Sequence, residues 1–148
     1  MDKELRREII ISHYENPTNK VNISNERLKK ENFIKVNTNS ESCIDNVDLF
    51  VKFDNYLITD LYFDGEACAI STSATSIMIK MFLGKTIEEA KVVIDNYYNM
   101  IEEKEYDENI LEELNAYVDI SKQPNRKKCA MLPFNALLKA IDIYKKNV

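Results

Sequence analysis

Two glycines in 148 residues, Gly65 and Gly84, limit the folds open to this chain more than any other feature of its sequence. A dinucleotide fingerprint and a phosphate-binding P-loop each need several glycines in one short loop, because the backbone must approach the phosphates closely. Both glycines here are isolated, so Rossmann and P-loop enzymes are excluded. The single histidine, His13, likewise excludes an HExxH zinc protease and a three-histidine zinc site.

The hydrophobic pattern predicts an α+β fold in one domain, residues 1–148. Apolar residues alternate over 47–53, which is typical of a strand with one covered face, and Asp54-Asn55 predicts a hairpin turn to the next strand. The predicted strands are 33–37, 47–53 and 57–63. The predicted helices are 3–15, 67–83 closed by Gly84, 86–101 and 109–118. A loop over 121–128, which contains Pro124, is predicted to precede a last helix, in which Pro133 lies in the first turn or causes a kink. This order predicts a three-stranded antiparallel sheet with helices packed mainly on one face.

Composition and charge limit the kinds of partner and the cellular compartment that are expected. The net charge of -5 argues against a nucleic-acid surface, and no apolar run approaches the ~18 residues of a membrane span. No signal-peptide pattern follows the charged N-terminus, so we expect a cytoplasmic protein. In a reducing cytosol, three cysteines are expected to be reactive, metal-bound or buried rather than disulfide-bonded.

The three cysteines, Cys43, Cys68 and Cys129, are far apart in sequence and form no CxxC motif. Taken singly, each is more often a small buried hydrophobe than a metal ligand. Cys43 falls in the loop before the second strand, whereas Cys68 and Cys129 fall at predicted helix starts, where N–H groups stabilise a thiolate. With Asp45, three thiolates and one carboxylate would fill a tetrahedral zinc shell; the alternative for Asp45 is a turn or strand cap.

Four segments, in their order and spacing, resemble the U-type iron-sulfur assembly family over nearly the whole chain. They are HYENP at 13–17, SCID at 42–45, FDGEACAIS at 63–71 and RKKCAML at 126–132. Within the family the chain is more similar to the SufU type than to the IscU type, because Lys128 replaces the histidine before the third cysteine. Residues 104–121 occupy the region of the SufU-type insertion, and Arg126 matches a SufU-type arginine. Ile44 departs from the family pattern, which has glycine there.

The resemblance implies that Cys43, Asp45, Cys68 and Cys129 bind one zinc ion. It also implies a partner, a pyridoxal-phosphate cysteine desulfurase of the SufS type, which inserts a histidine in place of Cys43 so that the Cys43 thiolate attacks the desulfurase persulfide. Arg126 would lie near the site and steady the ligands or the persulfide, or else be a solvated loop cation. A downstream iron-sulfur scaffold would then receive the sulfur.

Two alternatives stay open at the level of sequence. The same cysteines and Asp45 are also the ligand set for a scaffold that builds a transient [2Fe-2S] cluster, although no histidine precedes Cys129. The other alternative is a structural zinc or adaptor module that binds a desulfurase without taking sulfur. In all three cases His13 is expected to hold the N-terminal helix in place rather than to bind zinc.

Overall fold

The computed structural model describes residues 1–21, 32–38 and 45–148. Its elements are α1 (Lys3–Glu15), β1 (Ile34–Asn37), β2 (Asn46–Asp54), β3 (Leu57–Glu66), α2 (Ala69–Phe82), α3 (Ile87–Ile101), two 3₁₀ helices η1 (Glu108–Ile110) and η2 (Glu112–Lys122), and α4 (Pro124–Lys146). Over these described ranges, none of the helices is both long and apolar enough to cross a lipid bilayer.

The strands form the predicted antiparallel sheet, in the order β1-β2-β3. Asn55 and Tyr56 both have positive φ, 50° and 63°, as in the hairpin turn whose twist matches that of its strands. The central pair of the turn is therefore one residue later than predicted. Alternation in β2 and β3 buries one face of the sheet, to which Leu49, Leu61 and Phe63 contribute.

Helix α2 is the central element of the helical layer. All residues from Ser71 to Ile79 are buried, and the helix packs against α1, α4 and β3. It ends at Phe82 because Gly84, with φ 85°, adopts the left-handed conformation that closes many helices. The α+β fold with helices over the sheet is confirmed. Helix α3 begins with the predicted capping box, in which Thr86 and Glu89 cap each other's backbone N–H groups.

The region between α3 and the C-terminus differs from the prediction. Residues 109–118 are mostly 3₁₀ rather than α-helix: Asp107 caps η1 with its side chain, and η2 follows without a side-chain cap. The predicted loop 121–128 is wrong: η2 runs to Lys122 and α4 begins at Pro124. Proline suits the first position of a helix, where its missing N–H costs nothing. Pro133 lies inside α4, beyond the first turn.

The segment 104–121, predicted to be a family-type insertion, contributes to the hydrophobic core. Leu111, Leu114 and Tyr117 are fully buried, and η2 packs against α1, α3 and α4. Burial raises the pKa of the Tyr117 phenol well above its usual range, and the hydroxyl of Ser73 forms a hydrogen bond with it. The segment is therefore packed against the helical layer, and its status as an insertion stays a prediction.

Candidate metal site

The start of β2 and the end of β3 approach each other closely, and this contact positions the residues of the site. Val47, near the start of β2, pairs with Gly65, near the end of β3. Gly65 has φ 120°, and a Cβ atom added there would lie 2.0 Å from the backbone oxygen of Asn46. Only glycine fits this contact. As a result Asp45, directly before β2, lies beside Cys68, which follows β3.

The Asp45 carboxylate is fully buried at the N-terminus of α2. Its Oδ1 accepts a hydrogen bond from the Cys68 backbone N–H at 2.6 Å, and its Oδ2 accepts one from the Ser71 hydroxyl at 2.6 Å. A helix N-terminus favours negative charge, which helps to explain why a carboxylate is tolerated here without exposure to water. Asp45 thus acts as a cap on the start of α2, and it also faces the thiols.

Cys68 is the N-cap residue of α2, which begins at Ala69, two residues later than the predicted helix start. Its Sγ atom accepts a hydrogen bond from the Ser71 N–H at 3.4 Å and lies 3.6 Å from Asp45 Oδ2. The sulfur is therefore held by the backbone of the first turn.

The expected position of Cys129 at the start of a helix is wrong. Because α4 begins at Pro124, Cys129 lies beyond the first turn and is almost completely buried. Of the two cysteines that the structure describes, Cys68 alone therefore lies at a helix N-terminus. What brings Cys129 to the site is tertiary packing of α4 on α2, where the Cys129 carbonyl accepts a hydrogen bond from the Ser71 hydroxyl at 3.0 Å.

Asp45, Cys68 and Cys129 form one compact group of possible metal ligands. One carboxylate oxygen and the two sulfur atoms all lie within 4.8 Å of one another. Ligands of a tetrahedral zinc ion are roughly 3.5–4 Å apart, so a small closing movement would bring the three donors to zinc-binding distances. The soft sulfur donors and the hard oxygen donor match the ligand types that zinc accepts. These residues therefore fit a zinc ion and leave a fourth position.

The other predicted site residues are placed as follows. Cys43 and Ile44 lie outside the described residues, although Asp45, two positions after Cys43, is inside the group. The predicted site residue Arg126 is exposed and lies in the first turn of α4. It precedes Cys129 by three residues, and positions three apart share one face of a helix. Arg126 therefore lies in a helix rather than in the predicted loop, and its role at the site stays a prediction.

His13 is not among the three grouped residues. Its Nδ1 atom lies 2.7 Å from the Ser76 hydroxyl, and its Nε2 lies 3.2 Å from Glu113, so the ring connects α1 to α2 and η2. Ser76 is fully buried, and its oxygen also accepts the Thr18 N–H at 2.7 Å. This serine, histidine and glutamate therefore resemble a hydrolase triad only in composition, because no substrate reaches the hydroxyl. The geometry agrees with a tethering role for the histidine.

Glu113 completes this tether through a second contact. Its Oε1 accepts a hydrogen bond from Lys80 at 2.7 Å. Burial raises the pKa of the Glu113 carboxyl, but the hydrogen bond from Lys80 and the charge of His13 outweigh it, so the net pKa is lowered. Glu113 is therefore ionised at neutral pH and holds both partners.

Ser71 is the site residue that sequence reasoning missed. It lies in the segment 63–71, and the sequence alone predicts no role for it. Its contacts with Asp45 and Cys129 join positions 26 and 58 residues away in the chain. The available signal was its position, three residues after the cysteine that starts α2.

The fold and this group of donors define a class of protein before any comparison: a small α+β domain with a buried thiol and carboxylate cluster suited to a thiophilic metal. The chain belongs to the family of the NifU-like N terminal domain, whose model matches residues 5–148. This confirms the resemblance found in the four sequence segments.

The chain is similar to several members of this family. It is 36% identical over 138 residues to the zinc-dependent sulfurtransferase SufU of Bacillus subtilis, covering 93% of this chain and 89% of that protein. It is 37% identical over 107 residues to the iron-sulfur cluster assembly scaffold protein IscU of Streptococcus pyogenes, covering 72% and 67%. The crystal structure of FiSufU from Fervidobacterium islandicum superimposes with a TM-score of 0.75 at 32% identity, covering 88% and 91%.

Proposed function

We propose that this protein is a zinc-dependent sulfurtransferase of iron-sulfur cluster assembly, which accepts persulfide sulfur from a SufS-type cysteine desulfurase. The observation that carries the proposal is that donor atoms of Asp45, Cys68 and Cys129 lie within 4.8 Å of one another. Asp45 follows Cys43 by two positions in the sequence. The similarity to the Bacillus subtilis protein over 93% of this chain supports the same activity.

Cys43, Asp45, Cys68 and Cys129 would hold the zinc ion, which supplies a positive charge that keeps bound thiols deprotonated at neutral pH. The protein provides the rest. The Asp45 carboxylate is held at both oxygens, and Cys68 is held by the first turn of α2. Cys43 lies outside the described residues, so its assignment as the sulfur acceptor rests on the family segment at 42–45.

The proposed transfer is a thiol exchange between two proteins. The Cys43 thiolate attacks the outer sulfur of the desulfurase persulfide and forms a new sulfur–sulfur bond. The old sulfur–sulfur bond breaks, and the desulfurase cysteine leaves as a thiolate. No electrons are gained or lost overall, so no external oxidant or reductant is needed. The persulfide on Cys43 would then pass to a downstream scaffold.

Arg126 is the proposed positioning group for the incoming persulfide. Its guanidinium is exposed on the first turn of α4, and it precedes Cys129 on the same helix by three residues. A fixed positive charge there would favour the approach of an anionic persulfide and stabilise the leaving thiolate.

The test is transfer of sulfur to Cys43, followed by mass spectrometry. After incubation with a SufS-type desulfurase and cysteine, the protein should gain the mass of one sulfur atom on the peptide that contains Cys43, and the Cys43→Ser variant should gain none. The gain should be lost on treatment with a thiol reductant, as for any persulfide. Binding of the desulfurase without any gain in mass would favour the adaptor alternative and reject sulfur transfer.

A second candidate is a scaffold on which a [2Fe-2S] cluster is built. It is favoured by the similarity to the streptococcal IscU, and the same cysteines with Asp45 suit iron as well as zinc. Lys128 before the third cysteine weighs against it. Anaerobic reconstitution with iron and sulfide separates the two: a stable coloured cluster supports the scaffold, whereas a colourless protein that keeps its zinc supports the sulfurtransferase.

A further inference from the structure

One buried hydroxyl contacts all three members of the donor group. Ser71 Oγ lies 2.6 Å from Asp45 Oδ2, 3.0 Å from the Cys129 carbonyl oxygen and 3.7 Å from Cys68 Sγ, and the residue is fully buried. The three residues come from three separate segments: the loop before β2, the start of α2 and the interior of α4. Ser71 is therefore the point at which these segments meet.

The hydroxyl has a single proton, and the geometry indicates where it goes. The contact to the Asp45 carboxylate is the shorter of its two donor contacts, and a hydrogen bond to a charged acceptor is the stronger type. The terminal torsion of an aspartate side chain is otherwise broad. With Oδ1 bound to the Cys68 N–H and Oδ2 bound to Ser71, that torsion is restrained from both sides.

We propose that Ser71 is a positioning residue of the metal site: its hydroxyl sets the orientation of the Asp45 carboxylate relative to Cys68 and Cys129, and so preorganises the group for a divalent thiophilic cation. The inference rests on the proposed zinc function. Groups that orient metal ligands in this way typically contribute about 10- to 100-fold to metal affinity.

Helix α2 provides a matched control. Ser73 is two residues further along the same helix and is just as buried, but its hydroxyl bonds to the Tyr117 phenol instead of the donor group. Each hydroxyl makes two buried hydrogen bonds, those of Ser73 being to the Ile70 carbonyl and the Tyr117 phenol, so truncating either serine should lower the stability of the apo protein. Only the change at Ser71 should alter the zinc affinity and the spectrum of bound cobalt.

The test compares zinc affinity and the spectrum of bound cobalt. Ser71→Ala should weaken zinc binding by about 10-fold or more in competition with a chromophoric chelator. It should also shift the visible absorption of the Co²⁺ form, because the Asp45 carboxylate is then held at Oδ1 alone. Ser73→Ala should leave the zinc affinity and the cobalt spectrum unchanged, although its apo form melts at a lower temperature.

A second pair of variants covers the case in which Ser71→Ala does not fold. Threonine and valine have nearly the same shape, so Ser71→Thr and Ser71→Val share any packing cost and differ only in the hydroxyl. The threonine variant should bind zinc more tightly than the valine variant by about 10-fold.

The outcomes separate this inference from the function on which it rests. A wild-type protein that binds zinc, with equal affinity and an unchanged cobalt spectrum in Ser71→Ala, or equal affinities in the threonine and valine pair, would overturn the role of Ser71 alone. A wild-type protein with no affinity for zinc would overturn the proposed function and this inference together.

Discussion

Replacing Cys68 by serine is expected to weaken zinc binding by about 100-fold while the apo protein keeps its fold. The loss of one thiolate from a four-ligand site removes about a quarter of a binding free energy of about 10–16 kcal/mol, or about 3 kcal/mol and 100-fold in affinity. Serine retains the other role of this position, because Cys68 caps α2 through its side chain and serine is a preferred N-cap residue.

The design separates ligation from folding in one variant. Zinc affinity is measured by chelator competition and stability by urea denaturation of the metal-free protein. We expect the unfolding free energy of apo Cys68→Ser to stay within about 0.5 kcal/mol of the wild type, as for an exchange between two capping side chains. Wild-type zinc affinity in this variant would show that Cys68 is a capping residue and not a ligand.

The second large effect is expected at Gly65. This residue has no side chain that could bind a metal, but it lies directly beside the site. In Gly65→Ala the new Cβ would lie 2.0 Å from the Asn46 oxygen and 3.1 Å from the Val47 Cα, both of which are backbone atoms. The positive φ of 120° adds strain for any residue with a Cβ. Together these effects should destabilise the protein by about 3 kcal/mol or more.

Gly84 is the matched control for this substitution. It too has a positive φ, 85°, but a Cβ atom added there would meet nothing within 4 Å. Gly84→Ala should therefore cost only the conformational penalty, about 1 kcal/mol. Chemical denaturation of both variants tests the comparison, and we also expect weaker zinc binding in Gly65→Ala, because the strand start that carries Asp45 must move. Equal losses in the two variants would contradict the close approach.

The sheet and the long helices could be predicted because their signals are local. Alternation over 47–53 and the capping box at Thr86 each report the conformation of their own segment, and the structure confirms both. The pattern over 109–118 predicts a helix but does not distinguish i→i+3 from i→i+4 hydrogen bonding, so the 3₁₀ form could not be predicted. Pro124 is predicted to lie in a loop, but proline is also common at the first position of a helix.

The site was predictable only in part, for a different physical reason. Cys68 was placed correctly because its environment, a helix start, is local. The resemblance groups Cys129 with Asp45 and Cys68, and the three lie close together, but packing of α4 on α2 brings Cys129 there rather than a position at the start of a helix. The position of Ser71, three residues after Cys68, indicates a contact with the start of α2, whereas its contacts with Asp45 and Cys129 depend on three segments meeting in space.

The most direct test of the central claim is elemental analysis of the purified protein beside its Cys43→Ala variant. The account predicts one zinc ion per chain in the parent and a reduced zinc content in the variant. A metal-free parent would contradict it, because the close group of Asp45, Cys68 and Cys129 would then be a buried hydrogen-bonded cluster and not a zinc site.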